Sequence, residues 1–179
     1  MKQLLVILLL ALAWPAFAWQ DGFPKTVKEI RQCYAEAHQA IEQMDETGVH
    51  NQVTLVVQRN MPGSGLRTVT LTCYFEEYQD EDEEMAGNMD DLPFFLTSRS
   101  NIAVWVDYEE YLFDPMSGKP IFIFLQRDTE DGGKDETRYY FGPDGLISEN
   151  IKGERVMSSD AAYQAALHLR DSMTEKMSY

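Results

Sequence analysis

Between Met44 and Val53 the spacing of apolar side chains changes from that of a helix to that of a strand, and this switch constrains the fold more than any other feature of the chain. Val27, Ile30, Tyr34, Ala37, Ile41 and Met44 recur in steps of three and four, one stripe of a helix bounded by Pro24 and Gly48. Val53, Leu55 and Val57 then alternate with Thr54, Val56 and Gln58 at the period of a strand. Neither element can bury its apolar side alone, so the helix must lie across the sheet.

Turn chemistry divides the rest of the chain into hairpins. Asn60 to Gly65, with Pro62 and Gly63, separates the first strand from a second in which Val69, Leu71, Cys73 and Phe75 alternate with threonines and Tyr74. A second hairpin runs from Ile102 to Phe113, turns through Asp114 to Lys119 and resumes as Ile121 to Leu125. A third joins Arg138 to Phe141 with Leu146 to Ile151 through Gly142, Pro143, Asp144 and Gly145. Ser159 and Asp160 then offer an N-cap to a closing helix with Ala162, Ala166, Leu169 and Met173 on one side. The expectation is an α+β fold over residues 19–179: an N-terminal helix on a curved six-stranded antiparallel sheet of three hairpins, with a C-terminal closing helix.

In element order this arrangement resembles cystatin-like and nuclear-transport-factor-like folds, where a helix packs on a curved antiparallel sheet. The last two hairpins share an aromatic strand, a Pro-started turn and a Gly exit, as in Tyr111-Leu112-Phe113-Asp114-Pro115 and Tyr139-Tyr140-Phe141-Gly142-Pro143. Over residues 100–152 they resemble those of exported bacterial domains of unassigned function. The cystatin likeness implies, as one version, an inhibitor of an exported protease.

The first residues read as a secretory signal. Lys2, the apolar run Leu4 to Ala13 and the small residues Ala16 and Ala18 predict cleavage after Ala18. No Cys follows that site, so the expected product is periplasmic or secreted, without a lipid anchor and without stable membrane insertion. An oxidising compartment allows Cys33 and Cys73 to form a disulfide, which the chain-entropy relation makes worth about 4 kcal/mol; two buried free thiols are the alternative. A redox-active pair needs cysteines close in sequence with basic neighbours, and these two have neither.

The formal net charge of −15 repels phosphate backbones and anionic lipid surfaces, which sets nucleic acid aside as a partner. Nine of the acidic residues fall between Glu76 and Asp91 without a Lys or Arg. In a six-stranded meander that loop and a second acidic loop, with Asp128, Glu130, Asp131, Asp135 and Glu136, share one end of the sheet. Asp80, Asp82, Glu84, Asp90 and Asp91 are therefore candidates to gather calcium weakly or to meet a basic protein, although the run lacks the Gly and distal Glu of the twelve-residue calcium loop.

Ile121 to Leu125 is apolar at every position, so both faces of that strand need cover. Ile121, Ile123 and Leu125 are expected to meet the first helix. Phe122 and Phe124, with Trp105 and Tyr140, then need the last helix, another subunit or a ligand. No catalytic constellation stands out: His38, His50 and His168 form no triad or zinc spacing, and Gly63 and Gly65 join strands and open no phosphate-binding helix. These residues predict an exported, non-enzymatic binding domain for a protein or small ligand, without a cofactor beyond weak calcium. A pocket-bearing small-molecule carrier or enzyme is the alternative.

Overall fold

A computed structural model describes residues 22–47, 52–75, 92–102 and 105–177, with the backbone alone described at 45–47, 102, 176 and 177. The order is α1 (Val27–Thr47), β1 (Gln52–Met61), β2 (Gly65–Tyr74), β3 (Phe95–Ile102), β4 (Trp105–Phe113), β5 (Pro120–Asp128), β6 (Lys134–Gly142), β7 (Gly145–Lys152) and α2 (Ser159–Met177). The α+β class is as expected. The strands form one open antiparallel meander in chain order, and there are seven of them where six were expected.

The additional strand is β3. Beyond Phe95 and Leu96 it reads Thr97, Ser98, Arg99, Ser100 and Asn101, so no apolar alternation announces it. It is nonetheless central, and Ser98 and Ser100 are buried between β2 and β4. One more strand also reverses which loops share an end. The chain leaves the sheet after Tyr74 and re-enters at Phe95, so the strand ends that flank residues 76–91 lie at the end opposite the β5–β6 turn, where a six-stranded meander would have set both at one end. Residues 76–91, including Asp80, Asp82, Glu84, Asp90 and Asp91, lie outside the described residues, as does the segment 1–18 expected to be a signal peptide.

The helices cover opposite faces, and both cross β5. On one face Ile30, Ala37 and the half-buried Val27, Tyr34, Ile41 and Met44 of α1 pack on Phe95, Leu112, Phe122 and Tyr140. On the other, Ala162, Ala166 and Met173 of α2 pack on Leu96, Tyr111, Ile123, Leu125 and Tyr139. The expected pairing is therefore reversed for β5, where Ile123 and Leu125 lie under α2 while Phe122 and Phe124 lie under α1. A strand apolar on both sides does not say which helix takes which side. Ile121 joins the α1 side because the β4–β5 register shifts between Leu112 and Phe113, a bulge that breaks the alternation.

The same alternation separates the cysteines. Cys73 is buried on the α2 face of β2, whereas Cys33 of α1 packs on the opposite face, so the sheet stands between them and both thiols are free. The expected disulfide is not formed. Burial pushes the Cys73 thiol up to about 12, and burial together with the negative charge of Glu36 pushes Cys33 up to about 11.

Local chemistry fixes the helix ends. Thr26 Oγ1 accepts the Glu29 N–H at 3.2 Å and Glu29 Oε2 accepts the Thr26 N–H at 3.2 Å, a reciprocal capping box at the start of α1. At α2 the cap is Ser158, one residue before the expected pair, with its Oγ accepting from the Ala161 N–H at 3.4 Å. The crossing from β7 to α2 is fastened to one face of β6 at three alternate residues. Asp135 accepts the Glu154 N–H at 2.9 Å, Thr137 accepts the Val156 N–H at 3.1 Å, and the Tyr139 hydroxyl donates to the Met157 carbonyl.

Candidate functional site

Because α1 packs on the aromatic face of the sheet, the polar side chains that share this layer are confined to a narrow space. A cleft of about 280 Å³ opens there, with Arg31 and Tyr34 from α1, Glu110 from β4, Phe122 and Phe124 from β5, and Arg138 and Tyr140 from β6. Strand register sets these side chains side by side: Glu110 stands opposite Phe124, which stands opposite Arg138, while Phe122 stands opposite Tyr140.

Aromatic rings form the walls. Phe122 lies 5.2 Å from Tyr140 and 4.8 Å from Tyr34 between ring centroids, with the Tyr34 contact edge-on. Guanidinium groups lie over two of the rings, Arg138 at 4.6 Å from the Phe124 centroid and Arg31 at 5.5 Å from that of Tyr140. Arg138 also forms an ion pair with Glu136 at 2.9 Å. Burial works against the charged form of Glu136, but the hydrogen bonds from Arg138 and Lys152 outweigh it and hold that carboxyl below its usual range.

Glu110 is the polar centre of the cleft. It is only 6% exposed, and each of its oxygens accepts a phenol, Tyr34 at 2.5 Å on Oε2 and Tyr108 at 2.8 Å on Oε1. Burial first, and then the bond to Glu110, holds both phenols well above their ordinary pKa, so they remain donors across the neutral range. A carboxylate oxygen has two acceptor directions, and among the described residues each of these oxygens uses one for a phenol. The sequence holds one signal for Glu110: it alternates with Tyr108 and Leu112, a charge set in the apolar register of its strand. Arg31 and Arg138 carry no such signal, and Tyr34 reads only as part of the α1 stripe.

Of the four aromatic residues expected to share a face, Phe122, Phe124 and Tyr140 come together in this cleft. Trp105 does not. It occupies the opposite face of β4 and is 38% exposed, beside an open groove of about 1030 Å³ along the β5–β6 turn. Asp107, Arg127, Lys134 and Asp135 line that groove, and Arg127 is paired with Asp107 at 3.0 Å. The groove is wide and of mixed charge, whereas the cleft encloses its polar groups among rings. Among the described residues no group of three or more His, Cys, Asp or Glu is arranged to hold a metal ion. His38 lies one turn beyond Tyr34, its ring 4.4 Å from that of Tyr34 and 5.1 Å from that of Phe95, outside the cleft lining.

No family model, curated sequence or solved structure matches this chain. The class that the fold and site define is an open seven-stranded α+β domain with an aromatic cleft beneath its first helix.

Proposed function

We propose that the protein is an exported small-molecule-binding domain whose ligand sits in the cleft between α1 and strands β4 to β6. The observation that carries this reading is the convergence of Glu110, Arg31 and Arg138 on a space walled by Phe122, Phe124 and Tyr140. Sites for small molecules combine an apolar lining with a few placed polar groups in this way. The ligand chemistry follows from the side chains. Flat apolar surface suits the ring walls, a hydroxyl or ammonium donor suits the second acceptor direction of each Glu110 oxygen, and an acid group suits the guanidinium groups of Arg31 and Arg138. Aromatic amino acids and hydroxylated aromatic acids combine these three features at a size that fits.

We assign binding to these side chains because the described lining holds no Ser, Cys, Thr or His, and its Glu110 and Tyr34 are hydrogen-bonded to one another. The near burial of Phe122 and Tyr140 favours a ligand enclosed in the cleft over a protein docked on a broad aromatic patch. Export rests on the reading of residues 1–18 as a cleaved signal, and among the described residues no helix is long and apolar enough to cross a membrane. The test is calorimetric titration of the secreted protein with a panel of aromatic amino acids and hydroxylated aromatic acids. Saturable binding that Glu110→Gln weakens at least tenfold, with the variant folded, is the expected result; an unchanged affinity in that variant, or no binding across the panel, overturns the reading.

A further inference from the structure

The two outer strands of the sheet are built differently. Strand β7 carries Glu149 and Lys152 and has a bulge opposite Tyr140 and Phe141, features by which natural sheets discourage further pairing. Strand β1 has none of them. It pairs with β2 in unbroken register over ten residues, contains no Pro, Gly, Lys, Asp or Glu, and has Arg59 as its one charge. Among the described residues no strand pairs with its outer edge. Val53 and Val57 on one side of the strand and Val56 on the other are 37%, 44% and 55% exposed, so the cover given by the helices stops short of them.

Charge distribution selects the occupant. In a chain of net charge −15, residues 51–75 contain no acidic residue and two arginines, Arg59 and Arg67. Two copies therefore repel one another over most of their surface and least along this hairpin. Antiparallel pairing of a strand with its own copy is also self-complementary, because each outward N–H meets a carbonyl of the same sequence and a two-fold axis closes the assembly. We propose that β1 is a homodimer edge, along which two copies join their sheets antiparallel and cover the valines at Val53, Val56 and Val57. This inference is independent of the ligand-binding reading, since β1 contributes nothing to the cleft.

Sedimentation of the secreted chain over a wide concentration range tests it. A species of twice the chain mass is expected for the wild type. Val56→Lys, at the strand's most exposed valine, should halve that mass while keeping the circular dichroism spectrum, and Ile151→Lys on the opposite edge should leave the dimer intact. Hydrogen exchange of the unmodified protein is the second readout: amides of residues 52–61 should gain protection as concentration rises. A wild type that stays monomeric throughout overturns the proposal. So does a dimer that Val56→Lys leaves unchanged, or β1 protection that is independent of concentration, which would mark another segment of the same chain on that edge.

Discussion

The Tyr34 hydroxyl donates to Glu110 Oε2 at 2.5 Å, joining residues 76 apart in sequence and tying α1 to the sheet it covers. The bond serves both packing and the candidate site, because it orients a buried carboxylate that a second phenol, Tyr108, holds from the other side. Tyr34→Phe removes one of the two donors from a carboxylate with little access to water. The expected cost is about 1–3 kcal/mol, read as a lower denaturation midpoint in urea. Glu110→Gln, which keeps the shape and a carbonyl acceptor, should cost less than Tyr34→Phe combined with Tyr108→Phe; the reverse order would show that the carboxylate is not held by these phenols.

The free thiols make a chemical prediction. Cys73 is fully buried with its thiol pushed up to about 12, so a thiol reagent at neutral pH should leave it unmodified in the native protein and label both cysteines after unfolding. Reducing agent should not change the melting temperature, because no disulfide links Cys33 to Cys73. A lower melting temperature on reduction would contradict this arrangement.

Alkaline pH should destabilise the fold in a definite direction. Burial raises Cys33 and Cys73 above their ordinary value of 9.0, and it likewise raises Tyr34, Tyr108 and Tyr111 above 10.0. The unfolded chain then loses these protons first, so the stabilisation is complete below pH 9.0 and falls as pH rises toward the folded-state values. Urea midpoints should be level from neutral pH to about 9 and decline above it. A midpoint that holds or rises over the alkaline range would contradict the burial of these groups.

The β4–β5 turn is held by the far end of the chain. Gly118 has a φ of +63°, and its carbonyl accepts from Arg170 Nη1 of α2, while a Cβ there would meet that nitrogen at 2.7 Å and Leu92 Cδ1 at 3.0 Å. Gly118→Ala therefore strains the backbone and displaces the arginine. A loss of about 1–3 kcal/mol is expected, with a matching drop in melting temperature. Thr137→Val tests the other fastening of α2 by leaving the Val156 N–H without its acceptor, again at about 1–3 kcal/mol.

Much of this architecture is legible as periodicity. The α1 stripe, the closing helix and all three hairpins follow from apolar spacing and turn residues, since those patterns are consequences of burial. Strand β3 is not legible, because a central strand that buries Ser98 and Ser100 lacks the alternation by which strands are read. Missing it also changes which end of the sheet carries the β5–β6 turn relative to the end of β2, because each added antiparallel strand moves the later turns to the opposite end. The assignment of helices to faces is hidden for a different reason: Ile121 to Leu125 is apolar on both sides. Three aromatic residues of the cleft can be named from the sequence, whereas Glu110, Arg31 and Arg138 meet only through register and helix placement. Trp105 falls on the other face because the register sets Glu110, not Glu109, opposite Phe124, a pairing that no periodicity within either strand prescribes.

The central claim is that ligand recognition takes place under α1. Its most direct measurement is the map of amide and side-chain chemical-shift changes as the folded protein is titrated with the aromatic acid panel. The account predicts saturable changes concentrated at Arg31, Tyr34, Phe122, Phe124, Arg138 and Tyr140, with Glu110→Gln moving their midpoint to at least tenfold higher ligand concentration. Changes clustered instead around Trp105 and the β5–β6 turn, or no saturable change anywhere, would contradict it.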